Sequence, residues 1–270
     1  MPRWRTMACL SLIALALSVD VTSGATDRAE PSDEEIGAFA PRRASIKAMV
    51  ARGFRPTGLE PIYPAQAKCP AISSPFAVMT RGDGSRRAAQ FFAGYHGGID
   101  IPVPEGTPVL AMADGVVIYK GEGGSIGGIG LILQHTPADT GLSAWTYTEY
   151  KHLMKVPDLE IGQRVRMGDT IALSGKTGTE GRHYGPAGHP HLHLSAFYSE
   201  QSGYVSQRFF VPTAGRWMDP LALWLGTLDS DALAALPTDR KRVLIAYVGA
   251  DGRVNPAGSK IVWPLRCASR

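Results

Sequence analysis

The sequence predicts an all-β fold: an antiparallel, sandwich-like β-sheet core with a short N-terminal arm and a small α+β C-terminal appendage. Three observations predict it. With 31 glycines and 20 prolines in 270 residues, the chain is rich in both breakers at once, which favours many turns and short strands over long helices. Between residues 70 and 222, β-rich runs alternate with Gly, Pro and Asp-Gly turn signals. Helical patterns are confined to the two ends.

Taken in order, residues 1–25 have the make-up of an export signal. "MPRWR" is a basic start, "MACLSLIALALSV" an apolar run too short to span a bilayer comfortably, and "SGA" ending at Ala25 a small-residue cleavage site. Residues 26–69 form a polar arm in which "PSDEEIGAF" starts a short helix with Ser32 as cap, and "RRASIKAMVARGF" a second, separated by Pro41. Residues 70–222 form the core. Its predicted strands lie in "ISSPFAVMT", "TPVLAMADGVVIYKG", "GIGLILQHT", "LSAWTYTEYKHL", "EIGQRVRMGDTIALSGKTG" and "HPHLHLSAFY". Residues 223–270 add a capped helix in "LDSDALAALP", two strands around Ala-Asp-Gly in "RKRVLIAYVGADGRV", and a last strand in "SKIVWPLRC", all packed on the core.

Two cysteines, Cys69 and Cys267, follow the export signal. In an exported protein an isolated pair reads as a disulfide, here tying the front of the core to the end of the chain and worth roughly 5 kcal/mol by loop entropy. The expected location is therefore periplasmic or secreted, with no transmembrane segment after cleavage. A net charge of +4, with no Lys/Arg block interleaved with aromatics, gives no support to nucleic acid as a partner.

The chemistry is concentrated in histidine. "GHPHLHLSAF" places His189, His191 and His193 at alternate positions, out of seven histidines in the chain. Residues two apart on a strand share a face, and two imidazoles that close suit a dry interior poorly unless something uses their nitrogens. A shared metal would use them, and so would one ligand beside one base. His189, flanked by Gly188 and Pro190, falls on the loop before the strand. In "YHGGID", Gly97-Gly98 disfavours a helix and lets the backbone bend so that His96 and Asp100 reach one point, a common zinc pairing. "YTEYKHL" contributes His152. His135 reads as structural, and "RGD" at Arg81–Asp83 as a turn.

Together, "HGGID", "YKHL", "IGQRVRMGDTIALSGKTG", "HPHLHLSAF" and "MDP" resemble the lysostaphin/LytM-type zinc metallopeptidases, which cut peptide cross-links in bacterial cell walls. The resemblance spans residues 72–222. It implies one zinc ion held by His96, Asp100 and His193, with His191 and His152 as the catalytic histidines. Three protein ligands leave a tetrahedral position open for water. His191 would then be the general base, and His152 would hold the water or stabilise the oxyanion. The implied partners are peptidoglycan peptides, with a D-Ala–diaminopimelate bond as the expected cut. Rival readings are a noncatalytic wall-binding or amidase-activating relative, and the same enzyme type acting on proteins. Two departures stand out. The loop "TGTEGRHYGPAGHP" is longer than usual and carries His183 and His189, and the strand continues "HLSAF" where the family runs HLHFE.

Overall fold

Seven short strands form the central sheet of this computed structural model, which describes residues 1, 30–123, 127–178, 189–206 and 209–270. They are β1 (Ile99–Pro102), β2 (Gly115–Glu122), β3 (Ile129–His135), β4 (Trp145–Leu153), β5 (Arg164–Val165), β6 (His191–Ser199) and β7 (Arg216–Met218). The order is β7-β6-β4-β3-β2-β5, with β1 also on β6, and every pairing in this sheet is antiparallel. The antiparallel all-β expectation holds. Strand β6 is the pivot. One edge carries β1 beside residues 191–194 and β7 beside residues 196–198, while the other edge pairs with β4 along its length. Segments far apart in sequence thus meet at the His191 end of β6.

Strand alternation buries Leu192 and Leu194 of β6 on one face, together with Ile99 and Ile101 of β1. Below the site on the other face, Trp217 of β7 gathers rings from three regions: Phe39 and Phe54 of the arm at 5.6 and 4.9 Å, Phe92 at 5.3 Å and Phe197 of β6 at 4.8 Å. Its indole N–H donates to Ala38 O at 3.0 Å, so the ring is buried without an orphaned donor.

The arm folds as its caps predict. Ser32 and Glu35 form a reciprocal capping box on helix α1 (Asp33–Phe39), and the Ser45 hydroxyl accepts from Ala48 N to start α2 (Ile46–Ala51). Arm and tail also clasp each other. Glu60–Ile62 pairs in parallel with Arg242–Leu244, Ala67–Lys68 pairs with Ala268–Ser269, and Cys69 is bonded to Cys267 across 198 residues.

Two predicted strands are absent. Residues 72–80 make only isolated bridges at Ser74 and Thr80. Pro75 has no N–H to donate and Ala77 sits at φ 57°, so the segment cannot run extended. It wraps His96 instead: Ala77 N donates to His96 O and His96 N to Val78 O, each at 2.9 Å. Residues 259–266 are likewise irregular, interrupted by Pro264, and pairing resumes with a bridge at Cys267 and a short strand at Ala268–Ser269. The proposed export signal and the loop histidine His183 lie outside the described residues.

Candidate metal centre

His96 and Asp100 reach one point because the two residues after His96 are glycines. A Cβ at Gly98 would sit 2.2 Å from Leu194 O and 2.9 Å from His193 Nε2, so only glycine lets the chain pass this close to β6. Asp100 then lands directly opposite His193 in the β1–β6 register. Asp100 Oδ1 lies 2.9 Å from both His96 Nε2 and His193 Nδ1, and those two nitrogens are 3.1 Å apart. Among the described residues these three side chains form the cluster able to hold a metal ion.

The hydrogen bonds behind the rings bear on which nitrogen of each is free. His96 Nδ1 donates to Pro75 O at 2.7 Å, which leaves the Nε2 lone pair facing Asp100. His193 Nε2 lies 3.1 Å from the Ser195 hydroxyl, and when Nε2 is the donor there the Nδ1 lone pair faces the same spot. In that tautomer two lone pairs face each other across 3.1 Å with a carboxylate oxygen beside both. Such a triangle of donors calls for a cation, and two imidazoles with one carboxylate suit zinc.

Electrostatics agree with that assignment. Burial alone would raise Asp100, but positive charge and N–H donation at the His96 and His193 positions, whose place a cation would take, outweigh it and hold the carboxyl well below its usual range. Burial pushes His193 down to about 3 against the pull of Asp100, so the ring is neutral, as a ligand must be.

The other two histidines stand beside this triangle. His191 shares the face of His193, and its Nδ1 donates to His189 O at 2.7 Å. Its Nε2 is left as an acceptor, 3.6 Å from Asp100 Oδ1. Plain strand alternation would turn His152 away, to the face that buries Tyr150. A β-bulge prevents this. Ile129 pairs with Leu153 and Leu131 with Tyr150, so Lys151 and His152 together stand against Gly130 alone. With His152 at φ 61°, its ring reaches within 4.6 Å of the His191 ring and 5.7 Å of the His193 ring. Bulges re-aim side chains in this way beside functional sites. His152 Nδ1 donates to Thr177 O at 2.8 Å, and burial, then His191 and His193, keep the ring well below its usual range and neutral. Lys151, opposite His193, forms a 2.8 Å ion pair with Glu149 on the same face.

All five residues singled out in the sequence thus come together. Sequence reasoning missed their supports: Pro75 and Thr177, which act through backbone carbonyls and leave no side-chain signal, and Ser195, which stands in the HLSAF departure itself. His189 directs His191 through its carbonyl. His135 lies apart, buried with both nitrogens engaged, as a structural histidine.

Residues 94–204 match the profile of Peptidase family M23, a stretch that contains all five. Over this stretch the chain is similar to the M23 peptidases. Similar proteins include DD-carboxypeptidase/endopeptidase Mpg of Neisseria meningitidis, 38% identical over 101 residues, or 37% of this chain and 20% of that one. Peptidoglycan DD-endopeptidase ShyA of Vibrio cholerae is 36% identical over 132 residues, or 48% of this chain and 25% of that one. The chain spans only 20% to 33% of the length of the first curated relatives it matches. Among solved structures, the catalytic domain of lysostaphin from Staphylococcus simulans aligns at 25% identity with a TM-score of 0.34, covering 48% of this chain and 80% of that one. Outside the matched stretch lie the arm and the C-terminal clasp.

Proposed function

We propose that this chain is an exported zinc metalloendopeptidase that hydrolyses peptide cross-links of peptidoglycan. The observation that carries the reading is the triangle of His96 Nε2, Asp100 Oδ1 and His193 Nδ1, with a hydrogen-bond partner on the far side of each ring. Zinc held there would supply a Lewis acid that polarises a carbonyl and acidifies a water.

The protein's own groups supply the rest. His191 has its Nδ1 committed to His189 O and its Nε2 beside the ligands, where that Nε2 takes the proton of the attacking water and returns it to the leaving amine. His152, neutral and with its Nδ1–H committed to Thr177 O, offers Nε2 only as an acceptor. That suits holding the water rather than donating to an oxyanion. The expected cut is a D-Ala–diaminopimelate junction, which carries a carboxylate on the carbon next to the scissile nitrogen.

Export is supported by the sequence of residues 1–25 and by the Cys69–Cys267 bond. The test is digestion of purified cross-linked muropeptides by residues 26–270, with and without chelator, with products identified by mass. Chelator-sensitive cleavage at the cross-link is expected. A zinc-loaded protein that leaves every cross-link intact would favour a noncatalytic wall-binding or amidase-activating role, and one that cuts only proteins would move the substrate.

A further inference from the structure

Asp100 has two carboxylate oxygens, and only one of them faces the imidazoles. The other, Oδ2, accepts from Arg87 Nη2 at 2.9 Å. The same Nη2 donates to the Ser74 hydroxyl at 2.7 Å, and that hydroxyl lies 3.3 Å from His96 Nδ1. Arg87 Nε donates to Thr80 O at 3.3 Å. One guanidinium thus touches the second predicted ligand, Asp100, and a hydroxyl beside the first, His96. It is no loose surface contact, since the Arg87 and Asp100 side chains are only 18% and 15% exposed.

The chain delivers this guanidinium deliberately. Thr80 bridges Arg86, and Arg81 N donates to Ser85 O at 2.8 Å, closing a small hairpin. At its tip the Asp83 carboxylate accepts from Ser85 N at 2.9 Å, and Gly84 turns the chain at φ 82°. The RGD stretch is therefore the turn of a hairpin whose return strand places Arg87 on Asp100.

We propose that Arg87 is a positioning residue of the metal centre, holding Oδ2 so that Asp100 presents Oδ1 alone to a bound cation. A carboxylate free to turn could engage a cation through both oxygens and fill the position a catalytic water needs. Arg87 blocks that mode by occupying one oxygen with a charge-assisted hydrogen bond from a group that never deprotonates. The inference rests on the metal-centre reading of His96, Asp100 and His193, but it concerns how that centre is held, not whether it exists.

Zinc affinity of the metal-free protein, measured by competition with a chelator of known strength, tests it without reference to turnover. Arg87→Met is expected to bind zinc about 10- to 100-fold more weakly, the usual cost of losing an outer partner of a ligand, with Arg87→Lys in between. The visible spectrum of the cobalt(II)-loaded variant should shift from the four-coordinate pattern toward higher coordination. Should Arg87→Met not fold, the zinc-loaded wild-type crystal structure decides: Asp100 bound through Oδ1 alone with Arg87 still on Oδ2 supports the proposal. Wild-type affinity and an unchanged cobalt spectrum in a folded Arg87→Met overturn it, as would both Asp100 oxygens on the ion. A wild-type protein that binds no zinc at all would instead defeat the metal-centre reading itself.

Discussion

Two buried histidine environments flank the same sheet, and they are built on opposite rules. On one face His135 has both ring nitrogens engaged: Nδ1 with Asp114 O at 2.7 Å and Nε2 with the Thr148 hydroxyl at 2.8 Å. Thr148 passes the chain of bonds on to Tyr150, whose hydroxyl accepts from Met112 N at 3.1 Å. Nothing in that network is left over. On the other face His96, His152, His191 and His193 each have one nitrogen tied to a carbonyl or hydroxyl, and the second turned toward a common space. A satisfied histidine holds a fold together. A half-satisfied one is prepared for something not part of the chain.

The largest effect that could break this contrast is on the metal itself. His193→Ala removes one corner of the donor triangle, so zinc binding measured by elemental analysis should be lost and cleavage with it. A variant that kept full zinc occupancy would put the ligand set elsewhere.

Next in size is His191→Ala, which leaves the triangle intact. It should retain zinc while turnover falls by about 10²- to 10⁴-fold, the usual contribution of a positioned general base. Full activity in that variant would remove His191 from its role.

The smallest effect sharpens the structural side. His135→Asn should leave zinc affinity unchanged and cost about 1–3 kcal/mol of stability in urea melts, because it disturbs a buried hydrogen-bond network. The pH dependence has a definite sign. Burial above all, opposed by the Asp114 carbonyl, lowers the folded-state value of His135. The unfolded chain therefore takes up a proton near the ordinary histidine value that the folded chain refuses. Stability due to this residue is complete above about pH 6.5 and declines as pH falls below it. His135→Asn should flatten that decline, and an unaltered slope would show that His135 is not its source.

Much of this was legible in the sequence, for reasons that differ by region. Ser32 and Ser45 announce their helices because capping is local chemistry between residues three apart. His191 and His193 announce a shared face because strand parity needs no tertiary information. The 72–80 segment misled because its apolar residues pack around His96 without extending, with Pro75 and Ala77 setting the path. His152 shows the limit most clearly. Its parity points away from the site, and only the bulge opposite Gly130, set by pairing with a strand some twenty residues earlier, turns it inward. Arg87 carried no signal at all, since its role depends on where a hairpin folds back.

The central claim is that His96 Nε2, Asp100 Oδ1 and His193 Nδ1 close around one divalent cation while His191 and His152 stay off it. Anomalous diffraction at the zinc edge, from crystals of the zinc-loaded protein, tests this most directly. One peak within bonding reach of those three atoms, and beyond bonding reach of both other histidines, is predicted. A peak bonded to His191 or His152, or no peak between the three atoms, would contradict it.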